Sequence, residues 1–89
     1  MSDGYEVVVA ATAARSIRRL PRPSRMAVLS ALSSLGIDPR AGKPLTGDLA
    51  GIWSLRRGDY RVLYLIDDRA RRVEIARVGH RRDIYKRSG

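Results

Sequence analysis

The stretch WSLRRGDYRVLYLID, residues 53–67, constrains the fold more than any other part of the chain. Apolar residues alternate with polar ones on both sides of Gly58-Asp59, a dipeptide suited to a two-residue hairpin turn. A turn there pairs Arg57 with Tyr60, Arg56 with Arg61, Leu55 with Val62 and Trp53 with Tyr64. Side chains in a strand alternate between faces, so Trp53, Leu55, Val62 and Tyr64 share one face, the expected core. Arg56 and Arg61 then stand side by side on the opposite face, with Ile52, Ser54, Leu63 and Leu65. Like charges directly opposite one another destabilise a sheet. The pair therefore points either to a face wide open to water or to an anion held between the two. An exposed Leu63 and Leu65 point to a segment that covers this face.

The flanking segments supply the rest of the domain. Residues 5–10, YEVVVA, read as a strand with Tyr5, Val7 and Val9 on one face. Thr12 is expected to N-cap a short helix over 12–20, with Ala13, Ile17 and Leu20 as its apolar stripe. Arg15, Arg18, Arg19 and Arg22 fall mostly off that stripe, and Pro21 and Pro23 stop the helix. A second helix, opening at Pro23 or Ser24, buries Val28, Leu32 and Leu35 and ends at Gly36. Residues 36–51 read as a loop, holding four glycines, two prolines and two aspartates. After the hairpin and a turn over 68–71, residues 72–78 form the last strand. The expected class is α+β: an N-terminal strand, an antiparallel two-helix hairpin, then a mainly antiparallel three-strand meander. About four strands carry both helices on one face. One domain is expected over residues 1–89, with 1–4 and 86–89 flexible.

Charge narrows the partners. The 89 residues hold 18 Lys and Arg against 9 Asp and Glu, a formal net charge of +9. All the basic residues except Lys43 and Lys86 are arginine, whose planar donor fork suits phosphate oxygens. Such a surplus favours a polyanion or an acidic protein as partner. The chain has no cysteine, which removes disulfides and thiolate metal sites and fits a reducing cytoplasm. Its first residues look like neither a signal peptide nor a membrane span. No metal or cofactor is implied, since Asp67 and Asp68 are accounted for by the turn they open.

The closing motif VGHRRDIY, residues 78–85, contains the only histidine. The last strand is expected to end at Val78-Gly79, so His80, Arg81, Arg82 and Tyr85 leave from its end. Folded back over the outer face, they would join Arg56 and Arg61. Pointed into solvent, they would be a basic tail.

In order and spacing, these parts resemble the RelE toxins of the RelE/ParE superfamily, from about Tyr5 to Arg87. The segments that carry the resemblance are GKPL at 42–45, L-x-G-x-x-S-L-R-x-G-D-Y-R-V-L-Y across 49–64, and VGHRRDIY at 78–85. The resemblance implies a type II toxin that cuts messenger RNA on the ribosome and stops translation. It implies a site on the concave sheet face, with Arg61 as a phosphate ligand. It further implies that His80-Arg81 form the basic pair after the last strand, and that Tyr85 stacks on a base or handles a proton. It also implies a labile acidic antitoxin, with operator DNA bound through that antitoxin. The best-known relative carries two lysines on the strand before the turn, where this chain has Ile52 and Ser54.

Metal-free RNA cleavage uses the 2′-hydroxyl as nucleophile on the adjacent phosphorus. It needs a base, an acid and cations that hold the transition-state charge. His80 suits acid or base near neutral pH. Arg61 and Arg81 suit the clamp, Tyr85 suits stacking or weak acid work, and Arg56, Arg82 and Lys43 suit phosphate binding. Leu63 and Leu65 are the expected antitoxin contacts. Arg15, Arg18, Arg19, Arg22 and Arg25 are either a solvated helix face or a ribosomal RNA dock. Two other readings share this fold: a gyrase-inhibiting toxin of the ParE branch, and a catalytically silent module that binds antitoxin and operator complex.

Overall fold

A computed structural model describes residues 4–82 and 84. Strand β1 (Glu6–Val9) leads into helices α1 (Ala11–Arg18) and α2 (Arg22–Ile37). A short 3-10 turn (Pro39–Ala41) precedes β2 (Lys43–Pro44), and a second one (Gly47–Leu49) precedes β3 (Trp53–Arg57). Strands β4 (Tyr60–Asp67) and β5 (Arg72–His80) complete a five-stranded sheet in the order β1-β5-β4-β3-β2. The α+β class with both helices on one sheet face is as expected; the sheet has five strands rather than about four.

The hairpin forms in the expected register, with Arg57↔Tyr60, Arg56↔Arg61, Leu55↔Val62 and Trp53↔Tyr64. Its apolar face meets Ala13 and Ile17 of α1 and Val28, Ala31, Leu32 and Leu35 of α2, all buried. The α2 set follows the i, i+3, i+4, i+7 spacing of one helical stripe. Leu29, one position off that stripe, is exposed. β1 pairs with β5 in parallel, which the intervening helices permit by crossing over the sheet face.

Both helix boundaries differ from the sequence reading. α1 begins at Ala11 without a side-chain cap. Thr12 lies inside it, and its hydroxyl donates instead to the Ala76 carbonyl at 3.4 Å. α2 runs through Gly36 to Ile37. Gly36 is required there by space: a Cβ would stand 3.2 Å from both the Tyr5 carbonyl oxygen and a Val7 methyl. The Gly36 carbonyl in turn accepts from the Tyr5 amide at 2.7 Å.

The supposed loop over 36–51 is tied down by one buried phenol. Tyr64 is fully buried in the core, and its hydroxyl donates to the Pro39 carbonyl at 2.7 Å while accepting from the Gly42 amide at 3.1 Å. Burial pushes this phenol's pKa up, which keeps the donor proton in place. Gly42 can come this close only without a side chain, since a Cβ would lie 2.5 Å from the Ser54 carbonyl oxygen. The chain leaves Gly42 already alongside β3, and Lys43 pairs with Ser54 as β2.

A second tie is ionic. Arg40 grips Asp68 through both guanidinium nitrogens, at 3.2 and 2.7 Å, and the Tyr5 hydroxyl donates to the same carboxylate at 2.5 Å. Asp68 thus holds the 36–51 segment and the N-terminal strand to the β4–β5 turn. The Arg40 and Tyr5 hydrogen bonds keep its carboxyl below the usual aspartate range.

Two stability tests follow from these ties. Tyr64→Phe strands the Gly42 amide and the Pro39 carbonyl, and should cost about 1–3 kcal/mol in urea unfolding with faster exchange of the Gly42 amide; an unchanged midpoint would show that β2 does not depend on this hydroxyl. Because folding lowers the Asp68 pKa, the carboxylate adds stability above its unfolded value, and that contribution is lost as pH falls through the lower folded value. Asp68→Asn should therefore melt below wild type at pH 7, and the gap should close in acid.

Candidate functional site

Strands β2, β3 and β4 place three cations on the sheet face away from the helices. Lys43 pairs with Ser54, and Arg56 pairs with Arg61, so all four side chains share that outer face. They line a cleft of about 280 Å³ together with Ala41, Gly42, Leu45 and Leu55. Ser54 is nearly buried, and its hydroxyl accepts from Arg61 Nη1 at 3.3 Å. That contact draws the Arg61 head toward β2. Arg56 Nε donates to the Gly58 carbonyl at 3.2 Å, which draws the Arg56 head toward the turn. Opposed arginines aimed apart, with a lysine across the strand, leave a concave site for an anion.

β5 carries a bulge that re-sorts the closing motif. The pairing shifts between Leu63↔Arg77 and Tyr64↔Ile75, so Ala76 has no partner. A one-residue slip exchanges the two faces of a strand. Val73 and Ile75 face the core before the bulge, and Val78 faces it afterwards. His80 continues that inner series, opposite Tyr60, with its ring edge-on to the tyrosine at 5.8 Å and 78°. Arg77 and Gly79 move to the outer face, opposite Leu63 and Arg61. The strand also runs two residues beyond its expected end at Val78. The bulge was legible as apolar spacing of 73, 75 and 78 in place of 73, 75 and 77. Arg77, exposed and on the cationic face, is the residue that the sequence reading missed.

The chain then turns back. Arg81 donates its amide to the Asp59 carbonyl at 2.8 Å, with its Nε 4.0 Å from the Asp59 carboxylate. The Ile84 amide donates to the His80 carbonyl at 2.9 Å, and Ile84 is buried. Its side chain lies where a Cβ on Gly79 would point, which places it on the outer face beside the Arg61 row. Arg81 therefore joins Arg56 and Arg61 at the turn end of the sheet, and Arg82 is exposed next to it. His80 lies on the other face, and Tyr85 falls outside the described residues.

The expected exposed apolar pair is corrected by half. Leu63 is only 5% exposed, whereas Leu65 is 39% exposed. Leu63 sits mid-sheet on the outer face beside the buried Ser54, while Leu65 lies further along, near Glu74. Arg15, Arg18, Arg19 and Arg22 are exposed on the helix side, the opposite side of the molecule from the cleft. Among the described residues no cluster of His, Asp or Glu could hold a metal, and no helix is long and apolar enough to cross a membrane.

Comparison with known proteins gives a consistent picture. A family model described as the ParE toxin of type II toxin-antitoxin system, parDE, matches residues 7–85. Toxin RelE of Mycobacterium tuberculosis (strain ATCC 25618 / H37Rv) is 46% identical over 90 residues, covering 97% of this chain and 93% of the relative. Toxin RelG of the same strain is 48% identical over 85 residues, covering 93% and 98%. A chain of the toxin–antitoxin complex RelBE2 from Mycobacterium tuberculosis superposes with a TM-score of 0.80 at 46% identity, covering 90% of this chain and 94% of that one.

The Arg56–Arg61 pair makes its own prediction. Arg56→Thr removes the like-charge opposition and should raise stability by roughly 0.2–1 kcal/mol at low salt, with the gain shrinking as salt screens it. Sulfate should raise the melting temperature of wild type more than that of the variant. Equal responses would mean that no anion sits between the two arginines.

Proposed function

The chain belongs to the RelE family of the RelE/ParE superfamily of type II toxins, and from that premise we propose that it is a ribosome-dependent endoribonuclease acting on messenger RNA. The observation that carries this reading is the outer-face cleft with Lys43, Arg56 and Arg61 on three adjacent strands. A scissile phosphate bound there would turn its nonbridging oxygens toward Arg61, with Arg81 reaching in from the turn end of the sheet. Fixed cations aimed at developing charge are the largest lever that such a site has. Arg56, Arg82 and Arg77 would hold flanking phosphates. Arginine does not give up its proton near neutral pH, so proton transfer needs another group. Lys43 stands across from Ser54 and lines the same cleft. It is the side chain in the cleft best suited to pass a proton to or from the 2′-hydroxyl or the leaving 5′-oxygen. Tyr85 would stack on a base or act as a weak acid.

The partner of this reading is an acidic, extended antitoxin that covers the cationic face and uses Leu65 and the edge of Leu63 as apolar contacts. The RelBE2 relative was solved as a toxin–antitoxin complex, which supports such a partner here. The antitoxin would carry the pair to operator DNA, and the toxin would act in the cytoplasm, where translating ribosomes are. The match to a ParE family model gives the gyrase reading its one specific support.

Mapping 5′ ends on one message in a purified translation system separates these readings. Wild type should cut only when ribosomes are present, and Arg61→Ala should lower the rate by about 10²–10³-fold while remaining folded. Lys43→Met should fall similarly, and Lys43→Arg should not restore the rate if the group passes a proton. A folded wild type that cuts nothing and stalls gyrase instead would replace the nuclease reading with the ParE one.

A further inference from the structure

His80 is the only histidine, and near the end of a cationic motif it invites assignment as the acid or base. Its geometry assigns it other work. The bulge at Ala76 puts it on the helix side of the sheet, opposite Tyr60, whereas Arg61 faces the other way opposite Gly79. Its Nδ1 is already engaged: the Arg82 amide donates to it at 3.1 Å. An imidazole nitrogen accepts such a backbone N–H through its ring lone pair. The edge contact with Tyr60 sets the plane of the ring. A side-chain acceptor taking the amide two residues on is the arrangement by which Asn and Asp shape tight turns.

The turn held in this way has three further anchors. The His80 carbonyl accepts from Ile84, the Arg81 amide donates to Asp59, and Ile84 packs over Gly79. Arg81 is thereby fixed between two backbone attachments, at the end of the sheet where Arg56 and Arg61 lie. We propose that His80 is a positioning residue whose Nδ1 organises the turn closed by the Ile84–His80 hydrogen bond and so holds Arg81 beside Asp59 at the turn end of the outer face, without exchanging a proton with substrate. This builds on the nuclease reading for its functional consequence, but the turn itself can be tested without it.

Asn at position 80 can make the same amide contact but cannot titrate, and Ala can do neither. The experiment compares wild type, His80→Asn and His80→Ala by amide hydrogen exchange and by cleavage of a translated message, with the Tyr60–Asp67 amides reporting that each is folded. His80→Asn should keep the Arg82 amide protected and hold kcat within about threefold of wild type. His80→Ala should expose the Arg82 and Ile84 amides and lower kcat by about 10- to 100-fold, the scale of a charge misplaced by an ångström, with a smaller change in KM. If His80→Asn keeps the protected turn yet loses as much rate as His80→Ala, the imidazole does proton chemistry and the proposal is overturned. It is equally overturned if Arg82 exchanges alike in wild type and His80→Ala. A wild type that cuts no RNA would defeat the nuclease reading, and exchange at Arg82 would still decide the role of His80 in the turn.

Discussion

The Tyr64 hydroxyl is the contact on which the cationic outer face depends. It donates to Pro39 and accepts from Gly42 in a core that excludes water. A buried phenol with both capacities satisfied costs little, and one left unsatisfied would cost much of the net stability of a small domain. By taking those two backbone groups, it lays residues 39–42 against the sheet. Lys43 follows directly as the partner of Ser54. Without that attachment the segment would be the polar loop that its glycines and prolines describe, and the cleft would lose one wall and one cation.

The sheet then keeps two chemistries apart. One face is packed by Ala13, Ile17 and the α2 stripe; the other carries Lys43, Arg56, Arg61 and Arg77. A sheet of alternating side chains keeps such neighbours on opposite faces with no further device. The bulge at Ala76 is the one place where the alternation is reset. α1 reaches it through the Thr12 hydroxyl, which donates to the Ala76 carbonyl. The same threonine that the sequence presents as a helix cap thus serves the irregularity that sorts Arg77 outward and His80 inward.

Electrostatics at the outer face runs against stability. Arg56 opposite Arg61 is unfavourable in an empty sheet, and their heads are drawn apart by Gly58 and Ser54. Folding tolerates the pair because the hairpin's inner face, with Trp53 stacked on Tyr64, outweighs it. A face of this kind is stabilised by whatever anion binds to it.

Local pattern determined much of this protein. Period-two alternation about Gly58-Asp59 dictated the hairpin register down to Arg56 against Arg61, and period-3.6 spacing dictated the buried stripe of α2. The net positive charge, the arginine-rich closing motif and the order of segments were sufficient to carry the resemblance to the RelE toxins. Tertiary structure decided the rest. Whether residues 43–44 become a strand depends on a hydroxyl twenty residues away, and whether Gly36 ends a helix or lies within it depends on how closely β1 passes. The face on which His80 stands depends on one unpaired residue in a ladder between distant strands. Periodicity reports only how a segment alternates, while the offset between paired strands and the space left for a backbone are set by packing between segments. That is why the arginines of the hairpin could be placed from sequence, and why the histidine could not.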